Sequence, residues 1–262
     1  MPLWRRLRRL GSDRARTSGE PASPNGASSL HLFWDVPPLP YVAVAVILEV
    51  LQPPVMRRLY FWALQVSFAR EQRPRGGAHL GLQWNPGFPG STAANWGGYA
   101  PSDIGGLLSG SRSPLPSRRD DVNTRDFPWE AGRRYRLEVA RAPKSPPALQ
   151  AWRGTITDLE SGDEAVIRDL YSDGPYLASP MVWTEAFARC EQPTVAARWS
   201  EPRLVASDGR VIRPTRVRVN YQNRNAGGCD NTTAIADELG IVQATASERQ
   251  TPQGAMLPVP GG

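Results

Sequence analysis

Two neighbouring segments alternate apolar and polar side chains with a period of two. In residues 59–69, Tyr60, Trp62, Leu64, Val66 and Phe68 fall on one face, and Phe61, Ala63, Gln65 and Ser67 on the other. In residues 77–85, Leu80, Leu82 and Trp84 oppose His79, Gly81 and Gln83. A period of two places successive side chains on opposite sides of an extended chain, so both segments read as β-strands with one buried face. Pro74 and Gly76 lie between them, which suits a hairpin connection.

The same signal recurs along the chain. Residues 41–51 are apolar on both faces, as in a strand held between two layers. Further strands are expected over 133–141, 151–158, 165–170, 181–187, 195–201, 211–221 and 241–246, and one short helix over 232–239. No βαβ alternation occurs. The pattern predicts an all-β protein, a two-sheet antiparallel β-sandwich of jelly-roll or concanavalin-like type. The chain has 262 residues with 26 Pro and 24 Gly, enough turn formers to connect many short strands. Residues 29–249 are expected to form a single sandwich domain. Residues 1–28 read as a disordered basic tail, 250–262 as an extended Pro/Gly-rich tail, and 86–127 as one long loop.

The formal charge of +6 invites a nucleic-acid reading. Its distribution argues against one. Arg5, Arg6, Arg8, Arg9, Arg14 and Arg16 stand against Asp13 and Glu20 within the first 28 residues, so the tail carries most of the excess. No nucleic-acid partner is therefore expected. Trp4, Leu7 and Leu10 give the tail one short apolar stripe, the minimum for contact with an anionic membrane surface. The basic start leads into Ser, Gly and Pro rather than an apolar signal core, and 41–48 is too short to cross a membrane. That combination points to the cytoplasm. Cys190 and Cys229 are the only cysteines. A bridge between them would instead point to an oxidising, extracellular setting. No CxxC or Cys/His cluster exists, so neither a metal nor a cofactor is expected.

Nine Trp against seven Tyr and six Phe is an unusual aromatic balance. An indole offers a flat apolar face and one N–H donor. If the two alternating strands pair, Gln65, Ser67, His79 and Gln83 form a polar row on a sheet surface. Asn95, Trp96 and Tyr99, in the long loop, are then placed to fold over it. Amides bond sugar hydroxyls in their plane, and a ring packs on the C–H face of a pyranose. A glycan site of Gln65, His79, Gln83, Asn95, Trp96 and Tyr99 is the first expectation. The second is catalytic. Period two puts Trp183, Glu185 and Phe187 on one face, and a carboxyl among aromatics has a raised pKa suited to an acid. Glu185 is thus the candidate for a polysaccharide-active enzyme. A structural or protein-interaction domain is the third reading. No G-x-S-x-G elbow or phosphate loop occurs.

Several blocks read together carry a resemblance. They are Tyr60-Phe61-Trp62-Ala63-Leu64-Gln65, Leu80-Gly81-Leu82-Gln83-Trp84, Trp129-Glu130-Ala131-Gly132-Arg133-Arg134-Tyr135, Trp152-Arg153-Gly154 through Asp158, and Val182-Trp183-Thr184-Glu185. This succession resembles a bacterial family of Trp-rich β-sandwich proteins of unknown function, often seen in exported proteins, over about residues 30–247. The W-x-A-G-x-x-Y block is also similar to strand entries in concanavalin-like sandwiches. The resemblance implies the fold, and carbohydrate only by analogy. The E-x-D-x-x-E pattern of glucanases in that wider group is missing.

Overall fold

The computed structural model describes residues 15–71, 73–101 and 104–261. The described strands in chain order are β1 (Ser28–Trp34), β2 (Tyr41–Gln52), β3 (Tyr60–Arg70), β4 (Arg73–Trp84), β5 (Thr92–Tyr99) and β6 (Thr124–Asp126). There follow β7 (Arg134–Arg141), β8 (Gln150–Asp158), β9 (Glu164–Ser172), β10 (Tyr176–Ala186) and β11 (Ala196–Ala206). The chain closes with β12 (Val211–Ile212), β13 (Arg216–Tyr221), β14 (Thr233–Ala236), β15 (Ile241–Ala244) and β16 (Met256–Pro258).

Pairing sorts these strands into two antiparallel layers. The front layer runs β16-β13-β1-β10-β3-β4-β5-β6. The back layer runs β14-β15-β11-β2-β7-β8-β9, with β12 on β11. One pair, Leu177 with Tyr41, stitches the layers together where β10 and β2 begin. The fold is therefore the all-β sandwich that the alternation predicts.

The core lies between the layers. Trp62, Leu64, Val66, Leu80 and Leu82 of the front meet Leu48, Leu137, Val139, Trp152 and Ile156 of the back. Gln243, only 1% exposed, is a buried polar group in that core. It accepts from Thr184 Oγ1 at 2.7 Å and Trp199 Nε1 at 2.9 Å, and donates to the Leu30 carbonyl at 2.9 Å. One amide thus ties front strands β1 and β10 to back strands β11 and β15, with its oxygen and one N–H satisfied.

Four expectations change. The 86–127 segment is not one loop, because β5 and β6 lie within it. Thr92–Tyr99 contains Ala93, Ala94, Gly97 and Gly98, which carry no strand propensity of their own. The partner strand Gly77–Trp84 imposes the extended form. The helix expected over 232–239 is a hairpin, β14 turning into β15. Asp237 Oδ1 closes that turn by accepting from Leu239 and Gly240 backbone N–H groups. The part of the basic tail that is described, from residue 15, is seated on the sandwich. Arg16 and Asp230 exchange backbone and carboxylate bonds, and Ala22 N–H reaches the Gly227 carbonyl at 3.0 Å. Trp4, Leu7 and Leu10 lie outside the described residues. At the other end, Met256–Pro258 pairs with β13 and Thr251 and Val259 are buried, so this segment is docked on the sandwich rather than extended away from it.

Cys190 and Cys229 are bonded to each other. Around the bridge, Cys229 N–H donates to Ser28 Oγ at 2.9 Å and Cys190 N–H to the Gly19 carbonyl at 2.8 Å. The bridge therefore clamps the start of β1 and the segment that leads into it.

Candidate functional site

The outward face of the front layer carries three rows of side chains. Register fixes the first as Ser29, Glu185, Phe61, Gln83 and Ala93 across β1, β10, β3, β4 and β5. The second is Asn220, His31, Trp183, Ala63, Gly81 and Asn95, starting one strand further out on β13. The third is Arg218, Phe33, Met181, Gln65, His79 and Gly97. Alternate residues of each strand face the core, which is why Leu30, Leu32 and Val182 are absent from these rows.

The middle of this face is filled. Phe61 and Trp183 meet edge to face at 4.9 Å, and His79 joins them at 5.5 and 5.8 Å. Burial here pulls the His79 pKa down to about 4, so its imidazole is neutral at neutral pH. Gln65 Oε1 accepts from Trp183 Nε1 at 2.9 Å, and Gln65 Nε2 reaches Tyr99 Oη at 3.4 Å. Gln83 Oε1 accepts from Asn85 Nδ2 at 2.9 Å, and Asn95 Nδ2 donates to Thr124 Oγ1 at 2.9 Å. Gln65, Ser67, His79, Gln83, Asn95 and Tyr99 do share one face, but Gln83 and Asn95 are buried and tied to neighbours. Trp96 is on the other side. It belongs to β5, is 0% exposed, and donates through Nε1 to the Trp152 carbonyl at 3.3 Å. Its even offset from Ala94 and odd offset from Asn95 turn it inward, so it offers no ring to a ligand.

The face opens beside Glu185. A cleft of about 370 Å³ is lined by Asn25, Ser29, His31, Glu185, Asn220, Gln222, Asn223 and Gln253, with Tyr221 and Ala226. Ser29 Oγ donates to Glu185 Oε1 at 3.0 Å, and Asn25 Nδ2 donates to the same oxygen at 3.4 Å. Burial nonetheless dominates and holds the Glu185 pKa above the usual carboxyl range. His31 lies one pleat further along β1, diagonal to Glu185, a backbone separation of about 7–8 Å with the Cβ atoms somewhat closer. Burial holds the His31 pKa below its usual value, against a smaller upward pull from the Asn220 backbone. Its Nδ1 has no hydrogen-bond partner. The amides are preset: Gln222 Oε1 accepts from Ser29 N–H at 3.0 Å, and Gln253 Nε2 donates to Asn220 Oδ1 at 2.8 Å.

Chemically, burial moves the two titrating groups toward each other. An ordinary carboxyl loses its proton before an ordinary imidazole does, so the protonated acid and the neutral base rarely coexist. Raising Glu185 and lowering His31 widens the pH range in which they do. Phe187, expected on the same face, follows the end of β10. Period two in the sequence puts Glu185 and Trp183 on one face, and the register turns that face away from the core. The sequence reading missed Ser29, His31, Asn220 and Gln222, because β1 and β13 meet across 193 positions of chain. The available signal was the alternation Ser29, His31, Phe33 against Leu30 and Leu32. Among the described residues no group of three His, Cys, Asp or Glu gathers that could hold a metal ion. Nor is any described helix long and apolar enough to cross a membrane.

No family model and no curated protein matches this chain. Solved structures give distant likenesses. One is scytalido-glutamic peptidase with a peptide-based transition-state analogue, at 8% identity and TM-score 0.44, covering 87% of this chain and 99% of that one. Another is SCP-B, a member of the eqolisin family of peptidases, in complex with the tripeptide Ala-Ile-His. It is 9% identical, with TM-score 0.46 and the same coverage. Likenesses at this level carry no argument about what this chain does.

Proposed function

We propose that this chain is an acid–base hydrolase of an uncharged, hydrogen-bond-rich substrate, with Glu185 as the proton donor. The observation that carries the reading is a half-buried carboxyl with a raised pKa that still faces an open cleft. A proton held there above the usual carboxyl range is available to a leaving group. Neutral His31, diagonal to Glu185, carries a buried Nδ1 without a hydrogen-bond partner, so it serves as a base only where a substrate or water reaches that nitrogen. Asn25, Asn220, Gln222 and Gln253 supply amide donors and acceptors that fit hydroxyl-rich or amide-rich chains. Polysaccharides are the first substrates to assay, and peptides the second arm. The Cys190–Cys229 bridge is compatible with work in an oxidising compartment.

The test is turnover of an oligosaccharide and peptide panel at mildly acidic pH. Glu185→Gln is expected to lower kcat by about 10²–10⁴ with the fold intact. Turnover that survives Glu185→Gln rejects the role.

One observation favours a second reading. Among the described residues Glu185 is the only carboxylate lining the cleft, whereas most glycosidases use two. A non-catalytic module that binds a glycan or other polyhydroxy ligand in this cleft needs only the amides. Under that reading Glu185→Gln retains binding and no substrate is turned over.

A further inference from the structure

A larger opening lies next along β1. Where the chain leaves β1 and crosses to β2 in the back layer, residues 35–40 wall a cleft of about 810 Å³. Its lining is apolar and aromatic, with Phe33, Tyr176, Pro38, Pro180 and Met256 among the contributors. That volume falls within the range of about 300–1,000 Å³ typical of small-molecule sites. The β10 bulge between Ala178 and Met181, with Ser179 at φ 47°, turns the strand aside and makes the room.

One cation stands in this lining. The Arg218 guanidinium lies 4.7 Å over the Phe33 ring and makes no ion pair with a described carboxylate. Stacking occupies only the flat face of a guanidinium, and its N–H fork stays free for an anion. Two acids also line the cleft. Asp35 is already bonded by Arg216 at 2.8 Å. Glu71 follows β3, three strand spacings from β13, or about 14 Å away. That exceeds the Debye length of about 8 Å at physiological salt, so Glu71 leaves Arg218 unneutralised.

We propose that this cleft is a binding site for a small aromatic or apolar carboxylate, its body on Phe33, Tyr176 and the proline wall and its carboxylate on Arg218. The site shares no lining residue with the Glu185 cleft, although Phe33 stacks on His31 at 6.1 Å, and it requires no turnover. The Arg218–Phe33 pair supplies both halves of the recognition: apolar ring surface at the cleft wall for the body, and a fork matched to a carboxylate.

Calorimetric titration of the full chain with 3-phenylpropanoate and with its neutral amide tests it. The carboxylate is expected to bind at least about tenfold more tightly than the amide, and Arg218→Gln to reduce that ratio below about twofold. Phe33→Ala should weaken both probes together. Because Arg218 is exposed on β13, the glutamine variant keeps the fold, which circular dichroism checks. Equal affinity for the two probes, saturation by neither, or a carboxylate preference that survives Arg218→Gln overturns the site. Glu185→Gln should leave both affinities unchanged, so loss of turnover and loss of this site are read independently.

Discussion

Ser29 Oγ donates to Glu185 Oε1 at 3.0 Å across the β1–β10 pair. That bond and the Asn25 amide favour the carboxylate, yet burial outweighs them and raises the pKa. The native state therefore keeps the Glu185 proton to higher pH than the unfolded chain does. Its contribution to stability is present at acid pH and is lost as pH rises through the native pKa. Glu185→Gln, which cannot ionise, should leave Tm nearly unchanged at about pH 4 and raise it relative to the parent above about pH 7. A Tm difference that stays flat with pH would show that the carboxyl is not held in its neutral form.

Trp96 should behave as core. Its ring presses against Gly154, where an added Cβ would come within 2.6 Å of the indole. Trp96→Ala is expected to cost about 3–5 kcal/mol in urea unfolding. Gly154→Ala should destabilise the same contact by about 1–3 kcal/mol. A Trp96→Ala protein of parental stability would contradict the inward placement.

The disulfide connects stability to the cleft. Replacing Cys190 and Cys229 by Ser should cost about 4 kcal/mol if chain entropy governs. The same change loosens the segment from Arg16 to Ser28, which carries Asn25 to the Glu185 cleft. Limited proteolysis should cut within residues 16–28 of the double variant first. Equal resistance of both proteins would mean the segment is held by its hydrogen bonds alone.

Gln243 is the most exacting polar group in the core. Gln243→Met removes three bonds and leaves the Trp199 indole N–H and the Leu30 carbonyl buried without their partner. Roughly 2–4 kcal/mol should be lost. Denaturant midpoints measure it, and a loss under about 1 kcal/mol would mean that other groups replace the amide.

Strands with strong alternation were legible from sequence, β3 and β4 above all, because one buried face demands period two. The shared face of Glu185 and Trp183 follows from the same period, whereas the side of the sheet it occupies does not. β5 was not legible, since Ala93, Ala94, Gly97 and Gly98 become a strand only through the partner beside them. Reading Trp96 as a loop residue followed from that miss and turned it to the wrong side. The partners of Glu185 were hidden for a different reason. Asn25, Ser29 and His31 come from one end of the chain and Asn220 and Gln222 from the other, and no local pattern announces that β1 and β13 are neighbours.

In β1, Ser29 and His31 line one cleft and Phe33 the other, while Leu30 and Leu32 between them face the core. A slip of this strand by a single residue would exchange every one of those roles. Both openings would close together, and two leucines would be left facing solvent. Seven residues thus act as a common hinge pin for two separate recognitions, so an insertion in β1 would remove both, whereas a point change can retune either one alone.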